Sequence, residues 1–298
     1  MPKSGFVTIA GRPSVGKSTL INRLVGSKIA ITTPRPQTTR SRIVGVVTRP
    51  QAQIVFVDTP GVDQRGSALA KSVAQVARHA AAEGDLTLFL TDASRPDPDA
   101  DHFALRHLRL TGGRPMFLVI NKIDAVSKER LMETVARLSA LAPFKETVPI
   151  SALTGENVDT LLDLVEQALP EGPQFYPGDM VSDQPERFVI GEIIREKAML
   201  RLQQELPYAL AVAMDEVVER EDGMLMVAAT LYVERESQKG IVIGKGGAMI
   251  REIGSAARRE LEARLGARIF LDLVVKVREK WTHDPRSVRD FGYGAPKE

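Results

Sequence analysis

The sequence predicts an α/β protein: a doubly wound, mostly parallel sheet domain followed by a smaller α+β domain with the element order αββααβ. Short apolar runs alternate with helical patterns through the first 170 residues, and a stretch rich in proline and glycine then breaks that rhythm. A length of 298 residues suffices for two domains with separate cores. We therefore expect a first domain over 1–170, a linker over 171–186, and a second domain with a C-terminal tail over 187–298.

The strands of the first domain are short and apolar throughout, as is typical of strands covered on both faces. Strands are predicted at 5–10, 43–47, 54–57, 86–90, 117–120 and 147–150, and helices at 20–25, 68–83, 99–110, 127–141 and 157–169. In such sheets ligands bind beyond the carboxyl ends of the strands. The loops that follow the strands are therefore the expected location of a site.

The second domain begins with a helical pattern over 186–205 and continues with two strand-like runs around a turn at Asp222-Gly223. Strands are predicted at 209–218, 224–233 and 269–277, and further helices at 239–243 and from 248 to about 265. The tetrapeptide Gly244-Lys245-Gly246-Gly247 joins the two later helices.

Composition narrows the class of protein. The chain is 43% hydrophobic and 26% charged, which is typical of a globular protein, and it contains no cysteine, which excludes disulfides and zinc–thiolate sites. Its four histidines are scattered along the sequence and form no metal-ligand cluster. Neither a signal-peptide pattern nor a bilayer-length apolar run is present, so we expect a cytoplasmic protein.

The loop after the first strand fits the phosphate-binding pattern G-x-x-x-x-G-K-[ST]. Its glycines let backbone N–H groups surround phosphate oxygens, Lys17 reaches the outer phosphates, and the Ser18 hydroxyl is placed to bind Mg²⁺. The residues expected to bind the nucleotide here are Gly11, Arg12, Pro13, Ser14, Val15, Gly16, Lys17, Ser18 and Thr19. The alternative is a glycine-rich turn between a strand and a helix.

Asp58-Thr59-Pro60-Gly61 directly follows the predicted strand 54–57. A carboxylate at Asp58 can hold Mg²⁺ through its water shell, and the Gly61 N–H is placed to sense the terminal phosphate. The alternative is an ordinary Pro-Gly turn.

Asn121-Lys122-Ile123-Asp124 ends another strand and predicts the base specificity. The Asp124 carboxylate can accept both the guanine N1–H and its 2-amino group, whereas adenine offers an acceptor at N1. Asn121 would brace the loop and Lys122 would lie along the base. The backbone N–H groups of Ser151-Ala152-Leu153, after the last strand, are expected to bind guanine O6. Polar loops at strand ends are the alternative for both segments.

The segment Pro34 to Arg40 is polar and contains proline, as is typical of a mobile switch loop. One of its threonines would coordinate Mg²⁺ when the γ-phosphate is present, and Thr39 is favoured over Thr38. Ser18, Thr39 and Asp58 are thus the expected metal ligands, and Lys17, Thr39 and Gly61 the expected catalytic groups. An ordinary connector is the alternative. Together, these motifs resemble those of translation-factor-type P-loop GTPases.

That resemblance also concerns Val62, since many GTPases of this type carry at this position a glutamine that orients the attacking water. A valine cannot do so, and slow intrinsic hydrolysis is expected. In related GTPases with this replacement, an asparagine in the phosphate loop helps to hold a compensating potassium ion. The matching position here is Ser14, so potassium as a cofactor stays open.

In the second domain the Gly244 to Gly247 loop predicts a clamp for nucleic-acid backbone, because its glycines allow a phosphate to approach a helix N-terminus closely. Between Gln238 and Arg259 the chain carries five basic residues and one acidic residue, which fits single-stranded RNA. The expected RNA contacts are Lys239, Gly244, Lys245, Gly246, Gly247 and Arg251. A simple turn beside a solvated basic face is the alternative. The element order around this loop resembles a type II KH domain.

Over essentially its full length the chain resembles the Era family of bacterial GTPases. Beyond the motifs above, the resemblance rests on the segments 37–40, 195–197, 205–208, 233–235 and 242–244. It implies a monomeric GTP/GDP switch that binds small-subunit ribosomal RNA near its 3′ end. It also implies a role in assembly of the 30S subunit and peripheral contact with the cytoplasmic face of the inner membrane.

Two other classes of function are weighed against this one. A small-molecule kinase or ATPase would use the same phosphate loop, but Asp124 argues against it. A membrane or cell-cycle scaffold would use the basic face on anionic lipid, but the sequence has no lipid-anchor motif and no long basic amphipathic helix.

Overall fold

The computed structural model describes residues 2–61, 66–108 and 114–294. Apart from residues 67–69, these residues form two compact units that divide between Asp183 and Gln184. No helix among them is both long enough and apolar enough to cross a bilayer.

The first unit contains a six-stranded sheet in the order β2-β3-β1-β4-β5-β6. Only β2 runs antiparallel to its neighbour, so the predicted doubly wound, mostly parallel sheet is confirmed. The strands are β1 (Lys3–Gly11), β2 (Ile43–Arg49), β3 (Ala52–Asp58), β4 (Leu86–Asp92), β5 (Met116–Asn121) and β6 (Glu146–Pro149). The helices are α1 (Lys17–Val25), α2 (Ala68–Glu83), α3 (Pro98–His107), α4 (Lys128–Ser139) and α5 (Val158–Ala168).

Helices cover both faces of this sheet, which explains why its strands are apolar on both sides. Leucines of α1 and α5, such as Leu20 and Leu161, pack on one face against Ile9 and Leu88. The other face of the same strands is covered by α2, α3 and α4. The predicted helix 99–110 ends earlier, at His107, and residues 109 and 110 lie outside the described part of the chain.

The proline-rich stretch after α5 lies along the first unit. The Val46 N–H donates to the Val181 carbonyl at 3.0 Å, and the Ser182 hydroxyl donates to the Val44 carbonyl at 2.6 Å. These contacts cover the outer edge of β2, whose backbone would otherwise be unpaired on that side. The Gln53 side chain also binds the backbone of Tyr176.

The second unit contains a three-stranded sheet in the order β7-β8-β9, with β7 antiparallel and β9 parallel to β8. Its elements are α6 (Glu186–Arg201), β7 (Ala211–Glu219), β8 (Leu225–Val233), α7 (Glu236–Ile243), α8 (Ala248–Leu265), β9 (Ile269–Val277) and α9 (Pro285–Asp290). Through β9 this is the predicted order αββααβ. Apolar residues of α6 and α8, among them Ile194 and Ile253, form the core with the inner face of the sheet.

Two helix boundaries of the second unit differ from the prediction. Helix α6 ends at Arg201 rather than near residue 205, and Gln204 follows with a positive φ of 55°. Helix α7 begins at Glu236 rather than near Lys239, because the Gln238 side chain accepts the N–H groups of Glu234 and Arg235 and so caps the first turn.

The segment after β9 is packed rather than extended. Trp281 is fully buried and donates its indole N–H to the Ala209 carbonyl at 2.9 Å. Asp284 caps the short helix α9, and Phe291 packs edge-on against Trp281. The sequence did not predict this turn and helix.

Candidate functional site

The carboxyl ends of the parallel strands of the first unit meet at one edge, and the predicted motifs follow them. Gly11 ends β1, Asp58 ends β3 and Asn121 ends β5. A cavity of about 520 Å³ opens there, lined by the loop after β1, the segment 31–39, Gly61, residues 92–95 and Lys122.

Lys17 is the first residue of α1 and is buried beneath this cavity. Its ammonium group donates to the carbonyls of Gly11 at 3.1 Å and Arg12 at 2.9 Å. Burial lowers the pKa of Lys17 to about 8, although the nearby Asp58 carboxylate opposes that shift. The loop thus holds a desolvated cation at the place where an anion would bind.

The other residues of the loop secure its shape or line the cavity. Val15 is fully buried, whereas Pro13, Ser14 and Thr19 line the cavity. Arg12 extends away from the loop and donates to Asp101 Oδ1 on α3 at 2.9 Å. Burial raises the pKa of Asp101 despite this partner.

Three oxygen-bearing side chains converge beside Lys17. The Ser18 hydroxyl lies 2.7 Å from Thr39 Oγ1 and donates to Asp58 Oδ2 at 2.8 Å. Thr38 instead pairs with Thr33 Oγ1 at 2.7 Å and with the Arg35 carbonyl at 2.8 Å. Of the two threonines, Thr39 is therefore the one that lies beside Ser18.

Asp58 is fully buried, and burial raises its pKa to about 6. Its Oδ1 atom has no hydrogen-bond partner among the described residues. Hydroxyl and carboxylate oxygens are the donors that Mg²⁺ prefers, and a buried carboxylate oxygen without a partner is satisfied by a cation. Ser18, Thr39 and Asp58 thus fit a magnesium ion.

The segment after Asp58 lies against the phosphate loop. The Thr59 hydroxyl donates to the Ile9 carbonyl at 2.9 Å, and Pro60 is buried. A Cβ atom at Gly61 would lie 2.7 Å from Pro13 Cα and 3.1 Å from the Lys17 ammonium, so only glycine fits this close approach. Val62 lies outside the described residues.

The predicted base-binding loops are connected to the phosphate loop by side chains. Asn121 Nδ2 donates to the Val15 carbonyl at 2.8 Å, and the Lys122 ammonium donates to the Ser14 carbonyl at 2.9 Å. Asp124 Oδ1 accepts the Ser151 hydroxyl at 2.5 Å.

The backbone of the loop 151–153 is only partly available to a ligand. The Ala152 N–H donates to Asn121 Oδ1 at 2.9 Å, while the Leu153 side chain is exposed. The structure thus brings the two predicted base-binding segments together, joined by the Ala152–Asn121 and Ser151–Asp124 hydrogen bonds.

The sequence prediction missed Asp92, which ends β4 at the same sheet edge. Its Oδ2 atom accepts the Lys122 ammonium at 2.6 Å, and its Oδ1 atom accepts the Ser94 N–H and hydroxyl. Burial opposes ionisation of Asp92, but the hydrogen bonds from Lys122 and Ser94 outweigh it and lower its pKa. The available signal was an acidic residue at the end of a buried strand.

In the second unit, the loop between α7 and α8 has three glycines with positive φ, at Gly244, Gly246 and Gly247. Lys245 and Gly246 are exposed, and the loop closes on itself through a Gly247 N–H to Gly244 carbonyl bond of 3.0 Å. The first turn of α8 follows directly, so its N–H groups lie at this loop.

A groove of about 300 Å³ lies between α8 and β9 in the second unit. It is lined by Ile250, Arg251, Gly254, Ser255, Arg258, Phe270, Leu271 and Leu273. Phe270 is 53% exposed and supplies an aromatic ring there, which the sequence prediction missed. The alternation of β9 placed this side chain on the face opposite the core.

The charges around this groove are unevenly paired. Glu252, the acidic residue of the helix–loop–helix segment, accepts Arg201 Nε at 2.9 Å. The Lys239 ammonium nitrogen lies 3.9 Å from Glu236 Oε2. Arg251 lies at the glycine loop, because a Cβ atom built on Gly247 would be 3.6 Å from Arg251 Nη1. Of the apolar residues that flank the glycine loop, Ile250 lines the groove, Ile243 and Met249 pack against the core, and Ile241 is exposed.

A phosphate loop, a cation site and guanine-type base loops at one sheet edge, followed by a KH-type unit, define a P-loop GTPase with an appended nucleic-acid-binding domain. A family model described as 50S ribosome-binding GTPase matches residues 6–122, and one described as KH domain matches residues 205–282. GTPase Era of Geobacter metallireducens is 51% identical over 292 residues, covering 98% of each chain. The chain belongs to the Era family of GTPases.

Other relatives agree along the full length. GTPase Era of Geotalea daltonii is 47% identical over 97% of each chain. A crystal structure of Era in complex with MgGDPNP and nucleotides 1506–1542 of 16S ribosomal RNA superimposes with a TM-score of 0.94 at 39% identity, covering 99% of this chain and all of that one. An Aquifex aeolicus Era variant bound to GDP and aluminium fluoride gives a TM-score of 0.93 at 39% identity, covering 98% of this chain and all of that one.

Proposed function

We propose that this GTPase is a nucleotide-controlled RNA-binding switch that binds small-subunit ribosomal RNA near its 3′ end and acts in assembly of the small ribosomal subunit. The observation that carries the proposal is the groove beside the Gly244–Gly247 loop, in a chain that matches over 99% of its length an Era solved with 16S ribosomal RNA. The family model over residues 6–122 is named for the 50S subunit, but it covers only the first unit. The full-length match therefore has more weight.

The residues at the phosphate end of the nucleotide site have distinct roles. Lys17 neutralises charge on the outer phosphates, and Ser18, Thr39 and Asp58 hold Mg²⁺. When bound, that ion supplies positive charge to the phosphate oxygens. The Gly61 N–H contacts the terminal phosphate. This contact and the Thr39 ligand make the segment that contains Thr39 and the segment that contains Gly61 respond to GTP. Because Val62 offers no side chain to orient water, hydrolysis is slow without a partner.

The base end reads guanine. Asp124 accepts the N1–H and the 2-amino group, while the Ser151 hydroxyl fixes its carboxylate. Asn121 and Lys122 tie this end to the phosphate loop, so that base and phosphates are held at a fixed separation.

In the RNA groove, the Gly244–Gly247 loop binds a phosphate of single-stranded RNA, with Lys239, Lys245 and Arg251 supplying charge. Phe270 offers a ring on which one base stacks. Hydrolysis of GTP then releases or resets the complex.

The test is binding of a randomised single-stranded RNA pool, and of an RNA with the sequence of the 16S 3′ end, to full-length protein. The protein is loaded with GDP or a non-hydrolysable GTP analogue, and each titration is repeated at several salt concentrations. We expect selection of the 3′-end sequence and tighter binding with the GTP analogue. Weak, unselective binding that is indifferent to the nucleotide would contradict the RNA-switch proposal and leave only the GTPase activity.

Three finer parts of the proposal rest on the family alone: a monomeric state, peripheral contact with the cytoplasmic face of the inner membrane, and potassium as a further cofactor. Sedimentation measures the oligomeric state, and flotation with anionic vesicles measures the membrane contact. GTP hydrolysis rates in potassium chloride and in sodium chloride decide whether potassium is a cofactor. At the position in the phosphate loop where related GTPases carry an asparagine, this chain has Ser14.

A further inference from the structure

In the loop 151–155, one backbone N–H group has no acceptor among the described residues. Its other N–H groups, those of Ser151, Ala152, Thr154 and Gly155, find acceptors at 3.0, 2.9, 3.1 and 2.8 Å. The Leu153 N–H makes no hydrogen bond among the described residues. Because the Ala152 N–H already donates to Asn121, the Leu153 N–H is the group in this loop that a ligand acceptor can engage without breaking an existing bond.

Arg23 fixes the direction of that donor. It lies in the last turn of α1, and its Nε donates to the Ala152 carbonyl at 3.3 Å while its Nη2 donates to the Leu153 carbonyl. The Ala152 carbonyl and the Leu153 N–H belong to the same trans peptide group, in which they point in opposite directions. Holding the carbonyl toward Arg23 therefore points the Leu153 N–H away from it.

The Arg23 side chain is exposed, so core packing does not account for this contact. The two hydrogen bonds of Arg23 link residues that are 129 and 130 positions apart in the sequence. They connect α1, the helix that begins at the phosphate loop, to the loop near the base. Two donors of a rigid planar guanidinium on two successive carbonyls hold both peptide planes at once. That is the arrangement needed to present one N–H in a fixed direction.

We propose that Arg23 is a positioning residue for guanine recognition, which orients the Leu153 N–H so that it donates to guanine O6. The inference rests on the proposed function, in which Asp124 recognises the neighbouring N1–H and 2-amino groups of the same base. Asp124 recognises the N1–H and the 2-amino group, whereas the Arg23-held loop recognises O6. Without Arg23, the peptide between Ala152 and Leu153 loses the hydrogen bonds that fix its orientation, and the Leu153 N–H points at O6 only part of the time.

The test compares GTP with two analogues that each change one group of the base. In 6-thio-GTP a larger and weaker acceptor replaces O6, while ITP lacks the 2-amino group that Asp124 reads. Affinities are measured for the full-length protein by competition against a fluorescent GDP. The variants are Arg23→Met, which keeps the aliphatic stem without donors, and Arg23→Lys, which keeps one donor group. Arg137→Met, an exposed arginine on α4, is the matched control.

We expect Arg23→Met to bind GTP roughly three- to tenfold more weakly than the wild type, the range for one lost hydrogen bond. Its preference for GTP over 6-thio-GTP should shrink by the same factor, while its preference for GTP over ITP stays unchanged. Arg23→Lys should recover part of the loss, and Arg137→Met should match the wild type.

Two outcomes would overturn the assignment. If Arg23→Met keeps the full preference for GTP over 6-thio-GTP, Arg23 does not act through O6. If both preferences fall equally, the residue only stiffens the site in general. A failure of the proposed guanine recognition by Asp124 looks different, because the wild type itself would then bind ITP as tightly as GTP.

Discussion

The two glycine-containing loops of this chain both precede a helix, yet they are built in opposite ways. In the phosphate loop a Cβ atom at Gly16 would lie 2.3 Å from Asn121 Nδ2, and the adjoining Lys17 is buried. In the loop between α7 and α8 a Cβ atom at Gly246 would meet nothing within 4 Å, and Lys245 is exposed. One loop is enclosed by its own unit and the other is open to solvent.

The difference follows from the ligands that the two loops are proposed to bind. A small phosphate group that must be aligned for transfer needs donors already held in place, and the phosphate loop is held by Asn121 and Lys122. A nucleic-acid backbone is long and must enter from the side, so its clamp has to stay accessible. We therefore expect substitutions in the enclosed site to act through geometry and those in the open loop to act through charge.

The largest effect is expected at the base end of the enclosed site. Asp124→Asn should lower the preference for GTP by roughly 10⁴-fold, because the new amide presents a donor to the donors of guanine. It should bind xanthosine triphosphate more tightly, since that base carries a carbonyl where guanine has the 2-amino group. Competition binding with both nucleotides measures this, with Asp159→Asn on α5 as control. Unchanged GTP preference would remove Asp124 from the base site.

Lys17→Ala should weaken GTP binding by roughly 10²- to 10³-fold, the cost of removing a buried cation that pairs with phosphate. RNA binding by the nucleotide-free protein should stay unchanged, because the RNA groove lies in the other unit. Nucleotide and RNA titrations on the same preparation check both statements, with exposed Lys128→Ala for comparison. A parallel loss of RNA affinity would contradict the assignment of separate sites.

In the open loop, Gly246→Asp should reduce RNA affinity roughly 10- to 100-fold by placing a negative charge at the bound phosphate. The side chain has room, and aspartate tolerates the positive φ of 58° at this position. Gly246→Asn is the matched control, with nearly the same shape and no charge, and it should keep most of the affinity. Equal losses in both variants would mean that shape, not charge, limits this loop.

Local sequence patterns were sufficient for most of the elements and for the motifs at the strand ends. The predicted strand 269–277 has the same first and last residues as β9. A glycine precedes its start, and the alternation of apolar residues continues to its end. The phosphate loop, Asp58 and Asn121 follow strands that the apolar runs had placed correctly. Strand order then brings them to one edge.

Contacts between distant residues were beyond such patterns. The sequence favoured Thr39 over Thr38 but could not give the reason, which is a turn in which Thr38 bonds to Thr33. The pairing of Asp92 with Lys122 joins two strand ends 30 residues apart. Trp281 falls in the predicted C-terminal tail because its partner, the Ala209 carbonyl, lies 72 residues earlier. Periodicity carries information about neighbours in sequence, and these contacts are between neighbours in space.

The smallest effect is expected at Lys245, and it separates charge from geometry most cleanly. Lys245 is exposed, so Lys245→Ala changes no packing and should weaken RNA binding only severalfold. One lost phosphate contact releases one counterion fewer, so the slope of log K against log salt should become shallower by about 0.7 for a single strand. RNA titrations between low and moderate salt measure that slope, and exposed Lys145→Ala in the first unit should leave it unchanged. An unaltered slope would show that Lys245 contacts no phosphate, and the charge of the clamp would then have to come from Lys239 and Arg251.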